Sequence, residues 1–161
     1  ARTVRLLDRN LAHFAAVIRR DLGRDVLKIP GAGAAGGMGA GMAALLGAEL
    51  CPGIRTVLDA VHFDSRASGA DLIFTGEGRL DAQSLQGKVI SGVAARAGRL
   101  GVPLVAVVGG IGDGIGPIYD MGVSAVFSIN RLPVDFSIAK AGSRENLAAA
   151  MENILRLIAA F

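Results

Sequence analysis

Three short, uninterrupted runs of apolar residues constrain the fold of this 161-residue chain more than any other feature. They span residues 72–74, 104–108 and 125–129. Helical patterns separate and follow them, over residues 85–100, 115–121 and 147–158. Strands that are apolar on both faces and alternate with helices are typical of a parallel sheet covered by helices on both sides. We therefore predict an α/β fold with its strands in these runs.

The first part of the chain has a different pattern. Apolar residues over 4–22 have helical spacing, and Gly23 is placed to end that helix. Residues 25–29 have the composition of a short strand. A glycine-rich loop follows and leads into a helix that we expect to end near Gly47, and a further helix is predicted over 54–61.

Composition excludes several classes of protein. Apolar residues make up 52% of the chain, which excludes disorder. Basic residues are scattered and aromatic residues are only 4%, so we predict no nucleic-acid partner. Residues 29–48 are uncharged, but they are mainly glycine and alanine, and we predict no membrane association. The single cysteine, Cys51, and the lack of a signal sequence favour the cytoplasm.

Most of the charge that could do chemistry follows the first predicted strand. Ligands bind outside the carboxyl ends of the strands in an open parallel sheet. The charged residues there are Glu77, Arg79, Asp81 and Lys88. The two cations can neutralise phosphate, and either carboxylate can hold Mg²⁺, a set of groups that phosphoryl transfer requires. The alternative is an ion pair from Arg79 that only orders the turn.

Glycines near two strand ends indicate close approach of a ligand to the backbone. Gly76 and Gly78 alternate with the charged residues of the first loop, and Gly109 and Gly110 open the second loop, where N–H groups can bind an anion. Asp113 in that second loop either contacts a ligand or caps the next helix, and the sequence leaves both readings open. The third loop, which contains Asn130 and Arg131, carries less information.

Three segments resemble the type I glycerate kinase family. They are residues 30–39 (PGAGAAGGMG), 75–81 (TGEGRLD) and 83–88 (QSLQGK), and the resemblance extends over nearly the whole chain. It implies phosphorylation of D-glycerate, to 2-phosphoglycerate, with ATP and Mg²⁺. It also implies a two-domain α/β enzyme with its active site in the cleft between the domains.

The resemblance also implies how this chain is organised. Residues 1–68 correspond to the C-terminal portion of the second, inserted α/β domain, and residues 69–161 to the C-terminal half of a Rossmann-like domain. The family chain is more than twice as long, so the expected partners are D-glycerate, ATP and the N-terminal part of the same protein. Assembly with other copies in an oligomer stays open at this point.

Carried over to matching positions, the resemblance implies a set of site residues. The expected catalytic residues are Glu77, Arg79, Asp81 and Lys88, and Asp81 and Glu77 are the expected metal ligands. The resemblance adds Ser84 to the residues already indicated by the loops, so the expected nucleotide contacts are Gly76, Gly78, Ser84, Gly109, Gly110 and Asp113. The alternative function is a nucleotide-binding or interaction fragment that has no catalytic activity on its own.

Overall fold

The computed structural model describes residues 2–82 and 89–161, and for Phe136 only the backbone. The chain divides into two compact units, Ala1–Cys51 and Pro52–Phe161. The domain boundary that the resemblance implies, between residues 68 and 69, stays a prediction.

Two helices form the first unit. Helix α1 spans Arg2–Leu22 and helix α2 spans Ala34–Leu46. Both end as predicted, because Gly23 and Gly47 adopt left-handed backbone conformations with φ of 67° and 66°. The core between the helices is built from small and branched side chains, namely Ala15, Ile18, Val26, Ala32, Ala40 and Ala44.

Close packing explains the small residues of α2. A Cβ atom on Gly39 would lie 2.6 Å from the carbonyl oxygen of Gly31, so only glycine fits there. The C-terminal end of the helix is held by Arg24, whose Nη1 donates to the carbonyl oxygens of Ala43 at 3.2 Å and Ala44 at 2.9 Å. A cation at this position satisfies carbonyl groups that have no partner within the helix.

The strand predicted over residues 25–29 is wrong, because turns occupy this segment. The N–H of Leu27 donates to Oδ1 of Asp25 at 3.1 Å, and the N–H of Ile29 donates to the carbonyl oxygen of Val26 at 3.3 Å. An aspartate side chain that bonds the backbone two residues ahead favours a turn over a strand ladder. Val26 is buried, so its apolar character serves the core without a sheet.

The described residues of the second unit form six helices and three strands, and each strand is followed by a helix. In chain order they are α3 (Gly53–Ala60), α4 (Phe63–Ala67), β1 (Ile73–Thr75), α5 (Val89–Leu100), β2 (Leu104–Val108), α6 (Pro117–Asp120), β3 (Val123–Ser128), α7 (Phe136–Ala141) and α8 (Ser143–Ile158). The strands pair in parallel in the order β1-β2-β3. The predicted α/β class and its three strands are confirmed, whereas α4 and α7 were not predicted.

Strand β2 is buried along its whole length because helices cover both faces of the sheet. Leu104, Ala106 and Val108 belong to the core with α5 and α6. Val105 and Val107 point the other way, into the core with α8. No helix in the described ranges is long and apolar enough to cross a membrane.

Arginine side chains connect α3 and α4 to α5. Arg96 donates to the carboxylates of Asp59 and, at 3.1 Å, of Asp64, and Arg99 lies 3.5 Å from Asp64. The hydrogen bond from Arg96 lowers the pKa of Asp59 below its usual value. This cluster is structural, because its charges are paired between neighbouring helices.

Candidate functional site

The loops that follow β1 and β2 run side by side beyond the ends of the strands. The N–H of Gly109 donates to the carbonyl oxygen of Glu77 at 3.0 Å, and the N–H of Leu80 donates to that of Gly110 at 2.9 Å. The N–H of Gly112 then returns to the carbonyl oxygen of Leu80 at 2.8 Å. Leu80 is fully buried, so it fixes this paired segment to the core. These paired loops therefore extend the parallel sheet beyond the ends of β1 and β2.

Four glycines of these loops, at positions 76, 78, 109 and 110, divide into two classes. A Cβ on Gly76 would lie 2.5 Å from the carbonyl oxygen of Val107, and one on Gly109 would lie 2.4 Å from that of Gly78. These two glycines allow the backbones to approach each other. A Cβ on Gly78 or Gly110 would meet no atom within 4 Å, so packing does not require glycine at either position.

Glu77 contacts the helix that follows it. Its Oε1 accepts a hydrogen bond from the N–H of Ile90, near the start of α5, at 3.4 Å. A carboxylate at a helix N-terminus interacts favourably with the helix dipole. Part of what Glu77 does is therefore structural, since it connects the loop after β1 to α5.

The ion pair that was the alternative interpretation of Arg79 is present in the structure. Nε of Arg79 lies 3.5 Å from Oδ2 of Asp81, and the arginine side chain is 72% exposed. An exposed pair of this kind contributes only about 0–1 kcal/mol to stability. The ion pair is therefore present, but it contributes little to the stability of the turn.

Asp113 does not cap the next helix. Gly116 is the N-cap of α6, and no side chain caps that helix. Asp113 is exposed in the loop after β2. The capping interpretation is thus wrong, and a ligand contact for Asp113 stays a prediction.

A cleft of about 990 Å³ adjoins the loops after β1 and β2. Its polar side chains are Glu77, Arg79, Asn130, Lys140 and Ser143, and its apolar wall includes Val107, Ile129, Val134 and Leu147. Asn130 and Lys140 were not predicted as site residues. Asn130 follows the end of β3, and the position of that strand end was the only sequence signal that could have identified it.

Asn130 joins the third loop to the second. Its Nδ2 donates to the carbonyl oxygen of Gly109 at 2.6 Å, and its own N–H donates to Oγ of Ser128 at 3.2 Å. Hydrogen bonds therefore run across the carboxyl edge of the sheet from the loop after β3 to the loop after β1.

Two predicted residues, Ser84 and Lys88, lie outside the described residues. Within the described ranges, no group of three or more metal-binding side chains comes together. Magnesium that arrives with a nucleotide commonly takes one or two protein carboxylates and completes its shell with phosphate and water. Glu77 lines the cleft and Asp81 lies on the same loop, so either carboxylate alone fits that smaller requirement.

The fold defines an α/β protein that has a cleft with charged side chains at the carboxyl edge of a parallel sheet. Comparison with known sequences identifies the family of this protein. The chain matches the glycerate kinase family over residues 1–159, and it belongs to that family.

Relatives and a solved structure agree with this assignment. The chain is 45% identical over 148 residues to a glycerate kinase of Bacillus cereus, covering 92% of this chain and 39% of that protein. It is 42% identical over 153 residues to glycerate 2-kinase of Escherichia coli, covering 95% and 40%. A crystal structure from Salmonella typhimurium LT2, of a protein described as glycerate kinase 2, matches with a TM-score of 0.71 and 38% identity, covering 92% and 38%.

The chain thus spans about 40% of the length of these relatives. The recognition of the family from its three sequence segments is confirmed, as is the predicted fold class.

Proposed function

We propose that this chain is part of a glycerate kinase, which transfers the γ-phosphoryl group of ATP to D-glycerate and gives 2-phosphoglycerate. The observation that carries the proposal is the paired loop of Glu77, Arg79 and Asp81 at the carboxyl edge of the sheet, in a chain that belongs to this family. The paired backbone fixes the positions from which these side chains extend, and phosphoryl transfer depends mainly on positioning and charge.

The proposed reaction breaks one bond and forms another. A hydroxyl oxygen of glycerate attacks the γ-phosphorus, the bond from that phosphorus to the β–γ bridging oxygen breaks, and ADP leaves. Arg79 and Lys88 would balance the charge of the phosphoryl group and of the glycerate carboxylate. Glu77 or Asp81 would orient the hydroxyl group, and the proton that this group loses would pass to that carboxylate or to water.

The remaining predicted residues would bind the nucleotide. Gly78 and Gly110, which packing leaves open, would let phosphate oxygens approach the backbone, while Gly76 and Gly109 hold the loops together. Ser84 and Asp113 would add polar contacts. Mg²⁺, held by Glu77 or Asp81, would supply charge neutralisation at the phosphates.

The site, according to this proposal, lies in a cleft completed by the N-terminal part of the protein. The other expectations belong to the same proposal, namely a cytoplasmic location and assembly with further copies. The related glycerate kinases are more than twice as long as this chain, which supports the proposal that a further segment completes the cleft.

The test is glycerate-dependent formation of ADP from MgATP. We would assay this chain and, in parallel, a chimera in which it replaces the matching segment of Escherichia coli glycerate 2-kinase. In whichever protein is active, Arg79→Ala should lower turnover by more than about tenfold, or roughly 1.4 kcal/mol. Lys88→Ala should do the same.

Arg156→Ala is the matched control. Arg156, like Arg79, is an exposed arginine paired with a carboxylate, at 2.7 Å from Glu152, but it lies on α8 outside the cleft lining. The control should keep the parent's turnover. If Arg79→Ala also keeps it, or if the chimera forms no glycerate-dependent ADP, the proposal is wrong.

A second candidate is a nucleotide-binding fragment without activity of its own, which the 40% coverage of the relatives favours. It predicts that this chain binds MgATP with an affinity that D-glycerate does not alter. Isothermal titration of the chain with MgATP, with and without D-glycerate, distinguishes the two candidates.

A further inference from the structure

We infer that Asn130 is a positioning residue, which fixes the peptide between Gly109 and Gly110 so that the N–H of Gly110 is aimed at an anionic oxygen of the substrate. The inference rests on the proposed function, since it names a residue and a backbone donor of the same site. It starts from the 2.6 Å hydrogen bond between Nδ2 of Asn130 and the carbonyl oxygen of Gly109.

That hydrogen bond determines the direction of a second group. The carbonyl of Gly109 and the N–H of Gly110 belong to one planar, trans peptide, so they point in opposite directions. With the carbonyl held by Asn130 on the side of β3, the N–H of Gly110 must point away from it, towards the side of β1. The charged loop of Arg79 follows β1 on that side.

The N–H of Gly110 is available to a ligand. It donates to no backbone or side-chain acceptor among the described residues. Gly110 is only partly exposed, and it lines the cleft together with Arg79 and Lys140. A backbone donor close to two cations suits an oxyanion, because hydrogen bonds to charged acceptors are about twice as strong as neutral ones.

The peptides on either side of it are also held by backbone hydrogen bonds, so the peptide between Gly109 and Gly110 cannot rotate freely. The N–H of Gly109 donates to the carbonyl oxygen of Glu77 at 3.0 Å, and the carbonyl of Gly110 accepts from Leu80 at 2.9 Å. The bond from Asn130 is the only side-chain hydrogen bond to this peptide in the part of the chain that the structure describes. Removing its donor is therefore the cleanest way to release the peptide.

The oxyanion can be a phosphate oxygen of ATP or the carboxylate of glycerate. Titrations of this chain with inorganic pyrophosphate and with D-glycerate, followed by the amide resonance of Gly110, distinguish these sources. The Gly110→Ala variant assigns the resonance. We expect the Gly110 amide to shift with at least one of the two probes, and the probe that shifts it identifies the source.

Asn130→Asp tests the positioning residue, because it keeps the shape of the side chain and removes the donor. Asn146→Asp is its control, since it adds the same charge at an asparagine whose Oδ1 only accepts, from Arg131 at 3.1 Å. Asn130→Asp should change the Gly110 amide shift of the free protein and weaken binding of the active probe at least fivefold. The control should bind within twofold of the parent.

Asn130→Ala removes the donor without adding charge. If Asn130→Asp does not fold, the amide shift and the probe binding of Asn130→Ala test the inference instead. The inference is overturned if neither probe shifts the Gly110 amide, or if the Asn130 variants bind the probe within twofold of the parent. A kinase assay without glycerate-dependent ADP would refute the proposed function alone, because these titrations require no turnover.

Discussion

Gly109→Ala is the substitution that most directly tests the paired loops. Its Cβ would lie 2.4 Å from the carbonyl oxygen of Gly78, whereas a close carbon–oxygen approach is about 3.3 Å. The two backbones would have to separate by about 0.9 Å. That movement breaks the hydrogen bond from Gly109 to Glu77, which contributes about 1 kcal/mol, and overpacking adds about 1–3 kcal/mol.

Gly110→Ala provides the comparison, because its Cβ would meet no atom within 4 Å. Both substitutions stabilise the folded protein by the same unfolded-state effect, about 0.4–1 kcal/mol, since alanine has fewer conformations to lose. The difference between the two variants cancels that effect. We therefore expect Gly109→Ala to be less stable than Gly110→Ala by about 2–4 kcal/mol.

Urea unfolding followed by tyrosine fluorescence measures this difference. The chain has one tyrosine and no tryptophan, and Tyr119 lies in α6, so the signal reports on the second unit alone. A difference of less than about 0.5 kcal/mol between the variants, which is the ordinary range of a surface substitution, would refute the interpretation of Gly109 as a packing residue.

Two further predictions concern charged side chains outside the site. Arg24→Ala should destabilise the first unit by about 1–2 kcal/mol, because two carbonyl groups at the end of α2 lose their donor, and far-UV circular dichroism during urea unfolding measures it against Arg19→Ala. Arg96 lowers the pKa of Asp59 in the folded state, so this pair stabilises the protein above the unfolded pKa of about 3.9 and stops doing so as pH falls through the folded pKa. The parent should therefore lose more stability than Asp59→Asn between about pH 5 and pH 2, and parallel losses would contradict the assignment.

The sequence predicted most closely the elements that are long or fully buried, whereas the four-residue α6 lies inside a longer predicted helix, 115–121. Strand β2 was predicted at its observed bounds because all five of its residues are apolar and buried. Helices α4 and α7 have only five and six residues, too few for a helical period to appear. The segment 25–29 was misassigned because a buried Val26 resembles a strand residue, while the hydrogen bond of Asp25 that turns the chain is specific to the folded backbone.

The sequence predicted where the candidate site lies in the fold, but it did not predict which side chains contact each other there. Topology places the loops after β1 and β2 at the carboxyl edge, and the sequence identified both. The hydrogen bond of Asn130 depends on strand register. Val108 of β2 pairs with Ser128 of β3, and this register brings Asn130 beside Gly109. Register between strands that are separate in sequence is a tertiary property, so the composition of the third loop contains no sign of it.

Glycine in these loops has two opposite physical effects, and the site needs both. At Gly76 and Gly109 the missing side chain lets two backbones approach each other, and backbone hydrogen bonds hold the loops as an extension of the sheet. At Gly78 and Gly110 it leaves space beside that paired backbone. When an N–H donor is already held beside open space, binding of an anion loses little further conformational entropy, because that entropy has already been lost on folding. The alternation of closed and open glycines is therefore a physical reason for a glycine-rich loop to bind an anion without being flexible.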